Sequence, residues 1–279
     1  MTPRDRVLHR GNSIIQHGHF NNRVYVMKLA PADIPDIIRY ADDLARKEGY
    51  TKIFVKVPES SVEVFSNDGY ITEATVPFFY HGKEPAVFMA KYLDPKRQDI
   101  RDATTLANVL SDAFSHAGEW SSHLLMDGFS LTHAHAGDVK DIAALYHTVF
   151  KTYPFPITDP EYIHKTMQGS TRYYVIKKSH LLAAVASCDI DAENRHVEVT
   201  DFATGLLFRR HGFASTLLAA MEADMKKEGI QLAYTICRAG FGPINTVFIS
   251  AGYQYGGMLP NNTNICGSME CMNVWYKKM

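Results

Sequence analysis

The 279 residues predict an α/β fold arranged in two unequal blocks. Three observations point that way. Short runs of β-branched and aromatic residues alternate with stretches whose apolar residues recur at helical spacing. Glycine closes the predicted helices at Gly49, Gly229 and Gly252. A helix–Gly–strand unit also occurs twice: Lys47-Glu48-Gly49, a strand, Val64-Phe65 and Gly69-Tyr70 run parallel to Lys227-Glu228-Gly229, a strand, Val247-Phe248 and Gly252-Tyr253. Order and spacing agree throughout, so an ancient half-duplication is preferred over chance.

In the first block, Asn22 to Leu29 reads as a strand, and Ala32 to Gly49 carries Ile34, Ile37, Ile38, Ala41, Leu44 and Ala45 on one helical face. Lys52 to Val57 is a strand and Ser60 to Asp68 a short helix. Tyr70 to Tyr80 and Ala86 to Leu93 form an antiparallel pair about the His81-Gly82-Lys83 turn. From Asp94 to Asp127 the composition turns polar, with one helix from Asp102 to Phe114 and a small, polar stretch from Ser115 to Ser122. The expected division is therefore a first domain over 1–93, a linker over 94–127 and a second domain over 128–279.

The second domain opens with a strand at Phe129. A helix after Asp138, a Pro-rich turn at Tyr153-Pro154-Phe155-Pro156 and a helix from Asp159-Pro160 to Met167 follow. Three strands come next: Arg172 to Lys177, Leu181 to Ile190 and His196 to Thr204. Phe213 to Lys227 is a long amphipathic helix, Leu232 to Cys237 a strand and Ile244 to Ser250 a helix. Gln254 to Met258 and Cys271 to Lys277 end the chain as strands.

Composition narrows the function. Lys and Arg total 29 against 30 Asp and Glu, for a net charge of -1, which argues against a nucleic-acid partner. No apolar run has the roughly 20 residues of a membrane helix, and no secretory signal opens the polar Met1 to Phe20. Cys188, Cys237, Cys266 and Cys271 form no C-x-x-C pair, so a reduced cytoplasmic protein is expected. The close histidine pairs His17/His19 and His133/His135 lack a helical H-x-x-x-H spacing, and no metal is expected.

The chemistry concentrates in Glu198 to Leu218. A strand ends near Thr204, and Arg209-Arg210-His211-Gly212-Phe213-Ala214 opens a helix. Amides at a helix start are unpaired and partly positive, so this loop suits a phosphate or pyrophosphate. Gly212 lets the backbone approach such a ligand, Ala214 keeps the wall low, and both arginines add charge. By itself R-x-x-G-x-A is also compatible with an ordinary capped helix.

This R-x-x-G-x-A after an amphipathic strand resembles the acyl-CoA pyrophosphate loop of the GNAT superfamily of N-acetyltransferases. The element order from Phe129 to Lys277 is similar to that fold, a central mixed, mostly antiparallel sheet flanked by helices, here preceded by a smaller half-GNAT-like block. More narrowly, the whole chain resembles the β-lysine ε-N-acetyltransferases. The matching segments are Gln16-His17-Gly18, Arg23 to Leu29, Tyr153 to Ile163, Val199 to Thr204, Asn261-Asn262 and Glu270 to Lys277. The resemblance implies an acetyl-CoA-dependent enzyme that acetylates the distal amine of a small diamino acid to give a zwitterionic compatible solute.

The resemblance also assigns roles. Glu198 occupies the general-base offset, acting through a water. Asp201 competes as base or as an anchor for a substrate ammonium, provided a bulge brings it to the same face. Phe202, Ala203 and Thr204 present backbone to the thioester oxygen and the pantetheine arm, and Arg209, Arg210, His211, Gly212, Phe213, Ala214 and Ser215 bind acetyl-CoA. Tyr153, Phe155 and Asp159 roof the acceptor pocket, with Asn262 and Glu270 at its side. For Asp159 a helix cap is the preferred reading, and loop asparagines also read as turn residues. Phe248 stands where many relatives place a tyrosine that protonates the leaving thiolate, which leaves Tyr253 or no side chain in that role.

Direct attack in a ternary complex is expected, since no cysteine sits in a nucleophile's setting. Two alternatives stay open: a non-catalytic sensor of CoA or a metabolite, and the same chemistry on another diamine or on lysine. A homodimer is likewise open.

Overall fold

The computed structural model describes residues 4–120 and 125–279. Its organising element is one thirteen-stranded sheet in the order β1-β2-β3-β4-β6-β5-β12-β13-β11-β10-β9-β8-β7. The strands of the first block are β1 (Arg6–Arg10), β2 (Ser13–Gly18), β3 (Arg23–Lys28), β4 (Lys52–Pro58), β5 (Ile71–Tyr80) and β6 (Glu84–Tyr92). Those of the second are β7 (Phe129–His133), β8 (Thr171–Lys178), β9 (Leu181–Asp191), β10 (His196–Thr204), β11 (Leu232–Arg238), β12 (Gln254–Ile265) and β13 (Ser268–Lys278). The helices are α1 (Asp36–Glu48), α2 (Val62–Asn67), α3 (Ala103–Ser115), α4 (Val139–Val149), α5 (Pro160–Met167), α6 (Phe213–Lys227) and α7 (Gly242–Ser250).

The repeated sequence unit is a repeated connectivity. In the first block β2 pairs antiparallel with β3, β3 parallel with β4, and β6 antiparallel with both β4 and β5. In the second, β9, β10, β11, β13 and β12 repeat that scheme in the same order. Both Lys-Glu-Gly helix ends close alike. Gly49 and Gly229 take φ of 72° and 79°, and the next amides, of Tyr50 and Ile230, reach back to the carbonyls of Ala45 and Met225 at 2.9 and 3.0 Å.

The two half-sheets join where β5 meets β12, at the register pair Ala74–Gly257. Gly257 has φ of 139°, and a Cβ there would stand 2.3 Å from the carbonyl oxygen of Glu73, so only glycine allows this approach. Beside the seam the buried Lys52 ammonium bonds Glu73 at 2.9 and 3.0 Å and the carbonyl of Pro260 at 2.9 Å. An apolar cluster of Tyr25, Phe54, Phe79, Phe88, Tyr234 and Val274 crosses from one block to the other.

The sequence did not reveal β1 and β2, and β12 extends seven residues beyond the Met258 expected as its end. In the connecting segment, α3 lies on the second block, with Ala113 fully buried and Phe114 packed 5.9 Å from Trp275, ring to ring. Residues 121 and 122 of the polar stretch expected after it lie outside the described residues.

Two departures from regular pairing open the site. The parallel pairing of β10 with β11 covers only His196 to Glu198 against Leu232 to Tyr234, after which the strands part. On its other side β10 carries a bulge against β9 between Thr200 and Ala203.

Candidate active site

A cleft of about 1620 Å³ starts in the gap between β10 and β11 and runs to the face of β3 and β4. The α4–α5 connection, with Tyr153 and Phe155, contributes a wall. The site therefore draws on both blocks.

At one end the entire run Arg209 to Ser215 lines the cleft. Arg210 and Gly212 take left-handed φ of 65° and 73°, turning the chain into α6, whose first closing bond is Thr216 N–H to the Gly212 carbonyl at 3.0 Å. The amides ahead of that bond belong to an open helix start, and two arginines adjoin them. These residues fit the pyrophosphate of an acyl-CoA. The corresponding connection of the first block, between β3 and α1, has Pro31 and Pro35, and Pro35 is the N-cap of α1. Those prolines have no N–H to offer an anion and Asp36 puts a carboxyl in the first turn of α1, so the loop before α6 suits a phosphate better than its counterpart.

At the middle of the cleft stands Glu198. Tyr234 donates to its Oε2 at 2.8 Å, and Lys56 from β4 donates to the Tyr234 hydroxyl at 3.2 Å. Burial pushes the Glu198 carboxyl above the usual range, against the downward pull of Lys56 and of the Tyr234 hydrogen bond. A carboxyl displaced towards neutrality and facing a cleft suits proton abstraction.

Asp201 sits in the bulge with φ of 56° and lines the same cleft as Glu198, so the bulge does bring the two carboxylates together. Tyr153 donates to its Oδ1 and Ser187 to its Oδ2 at 2.7 Å. Burial raises this carboxyl too, while those donors and Thr200 lower it. Of the other expected residues, Phe202, Thr204 and Asn262 line the cleft, whereas Ala203 lies beneath it at 3% exposure. Asp159 caps α5 by accepting from the Glu161 amide at 3.0 Å, and Glu270 pairs with Arg238 at 2.9 Å; neither lines the cleft. Phe248 borders it, while Tyr253 is 1% exposed and packs behind Phe248, ring to ring at 5.1 Å. Cys237 reaches the cleft, but burial raises its thiol and Asn245 accepts from it, a setting for an inert cysteine.

Sequence reasoning missed Lys56, Tyr234, Tyr25 and Arg23. Tyr25 and Arg23 lie in a segment whose resemblance was noted, and Lys56 stands at the period-2 position that faces them from β4, so strand pairing would have found it. Asp189, Asp191 and Glu193 also border the cleft and add negative charge suited to a cationic amine.

Residues 141–241 match the acetyltransferase (GNAT) family. Fold and site together define an acetyl-CoA-dependent N-acetyltransferase of the GNAT class. The β-lysine N(6)-acetyltransferase of Methanococcus maripaludis is 36% identical over 274 residues, which cover 98% of this chain and 98% of that protein. N-acetyltransferase YodP of Bacillus subtilis is 31% identical over 270 residues, 96% of each chain. The β-lysine N(6)-acetyltransferase of Methanosarcina mazei is 28% identical over 256 residues, 85% of this chain and 94% of that one. The chain belongs to the β-lysine N6-acetyltransferase family.

Proposed function

We propose that this protein transfers the acetyl group of acetyl-CoA to the ε-amine of β-lysine, giving N-ε-acetyl-β-lysine, by direct attack in a ternary complex. The observation that carries this reading is the part-buried, cleft-lining Glu198, on β10 between an acyl-CoA loop and a pocket walled by the first block.

The chemistry follows from protonation. An alkyl ammonium with a pKa near about 10.4 is not nucleophilic at neutral pH. Glu198, directly or through a water, takes one proton from the ammonium, and the freed amine nitrogen bonds the thioester carbon. The second proton that nitrogen must lose passes to cleft water as the amide forms. The C–S bond breaks, and the electron pair leaves on sulfur. Beyond Glu198 the edge of β10 is parted from β11, which supports a backbone N–H along Phe202 to Thr204 as the donor to the thioester oxygen. With Phe248 in place of a tyrosine, the thiolate departs without a dedicated acid, as a thiol of pKa about 8.5 permits. Asp201, held by Tyr153 and Ser187, anchors the acceptor ammonium.

The product is a neutral zwitterion of the kind that serves as a compatible solute, and the enzyme works in the cytoplasm. Among the described residues no helix is long and apolar enough to cross a membrane. The test is CoA release from acetyl-CoA in the presence of β-lysine, lysine, ornithine or spermidine. Highest kcat/KM for β-lysine supports the reading, and binding of acetyl-CoA without CoA release on any of these amines refutes it.

A further inference from the structure

We propose that Arg23 and Asn262, at the far end of the cleft from the acyl-CoA loop, form the receptor for the carboxylate and neighbouring ammonium of the acceptor. This deepens, and rests on, the reading of the protein as an acetyltransferase of a diamino acid.

Arg23 is 3% exposed and lines the cleft from β3. Its Nη1 donates to two neutral groups, the carbonyl of Asn262 and Thr263 Oγ1, and its Nε has no partner among the described residues. Its register partner Lys52, equally buried, is neutralised by Glu73, whereas Arg23 enters no ion pair among the described residues. Burial lowers the guanidinium only to about 10, so it stays charged at neutral pH. A buried cation without an anion is costly, and a cleft-facing guanidinium fork is shaped to take a carboxylate.

Asn262 supplies the complementary group. It is 2% exposed and borders the same cleft, and its Oδ1 has no hydrogen-bond partner among the described residues. An unmet acceptor beside a cation that has neutral hydrogen-bond partners and the Tyr25 ring at 5.0 Å, but no carboxylate, matches an ammonium beside a carboxylate, the head of an amino acid. Between this head site and the base, the tilted rings of Tyr25 and Phe54, with centroids 4.9 Å apart, border the cleft and offer an apolar wall to methylenes. Lys52 is opposite Arg23, and Lys56, linked to Glu198 through Tyr234, stands four positions further along β4, or about 13 Å at strand rise. An extended six-carbon diamino acid with a hydrogen bond at each end has a comparable reach.

The experiment compares β-lysine with its primary carboxamide, which keeps both amines and loses the negative charge. For the wild-type protein kcat/KM should favour the acid by roughly 100-fold. In Arg23→Met that ratio should collapse towards one, through KM for β-lysine rather than kcat, while KM for acetyl-CoA stays unchanged. Arg23→Lys should fall between, because it keeps the charge but not the fork. Calorimetric titration of β-lysine into the CoA complex should show the same loss of affinity without relying on turnover. The wild-type acid-to-amide ratio needs no variant, so misfolding of Arg23→Met would leave the proposal testable. Equal use of acid and amide by the wild type, or an unchanged KM in a folded Arg23→Met, overturns the receptor but leaves acetyl transfer standing. Tight, Arg23-dependent binding of β-lysine without CoA release would keep the receptor and overturn the reaction.

Discussion

Lys56 Nζ lies 3.2 Å from the hydroxyl oxygen of Tyr234, whose own proton is donated to Glu198 at 2.8 Å. A cation of the first block is thereby coupled to Glu198, the proposed base of the second. Lys56 is among the groups that pull the Glu198 carboxyl down against its burial. Lys56→Met should raise that carboxyl further, and the base works only when ionised. The acid limb of kcat/KM against pH should move to higher pH, and activity at pH 7 should fall while that at pH 9 is nearly retained. A parallel loss at every pH would contradict the coupling.

Glu198→Gln keeps the shape and removes the proposed base. Steady-state CoA release should drop about 10²- to 10⁴-fold, in kcat more than in KM for acetyl-CoA. Substitution of Asp201 by Asn should act instead on KM for the amine, since Tyr153 and Ser187 already hold it in place.

Gly212→Val forces a β-branched residue into φ of 73° at the start of α6. The strain distorts the anion loop, and KM for acetyl-CoA should rise about tenfold or more. Thermal stability should change little compared with that loss, because the loop borders the cleft.

Gly257→Val tests the seam. Its Cβ would overlap the Glu73 carbonyl at 2.3 Å, and the clash involves backbone on both sides. A loss of more than about 3 kcal/mol in denaturant unfolding is expected. An unchanged midpoint would mean that β5 and β12 are not held together there.

His196 gives stability a pH dependence. Its ring lies 3.9 Å from that of Phe79, and burial, assisted by Lys56, pushes its pKa down to about 3. A depressed pKa contributes stability that is complete above the unfolded value of about 6.5 and is lost as pH falls from there towards 3. Between pH 7 and 4.5 the wild-type Tm should therefore fall more steeply than that of His196→Phe.

Features written in neighbouring residues were legible from the sequence. R-x-x-G-x-A marks its own helix start, and each Lys-Glu-Gly announces its own left-handed cap at Gly49 and Gly229. The bulge that turns Asp201 into the cleft was anticipated only through resemblance, because period 2 alone sends it to the opposite face from Glu198. Lys56 and Tyr234 stayed hidden since their meaning depends on pairing between strands far apart in the chain. Strands β1 and β2, at the far sheet edge from β7, mix Arg, His and Gln with apolar residues and so lack a strong strand signature. Glu270 and Asp159 were drawn towards the substrate by their charge, whereas Arg238 and the α5 amide ends engage them locally.

The prolines at the start of α1 also bear on how this enzyme can change. In the proposed reaction one copy of the repeated connectivity grips the common donor, and the other, relieved of that duty, turns Arg23, Tyr25, Met27, Phe54 and Lys56 to the acceptor side of the cleft. The first block thus adds to the acceptor side without touching the donor loop, whereas the second block serves both. Randomising those few first-block positions should yield enzymes for new amines that keep their hold on acetyl-CoA.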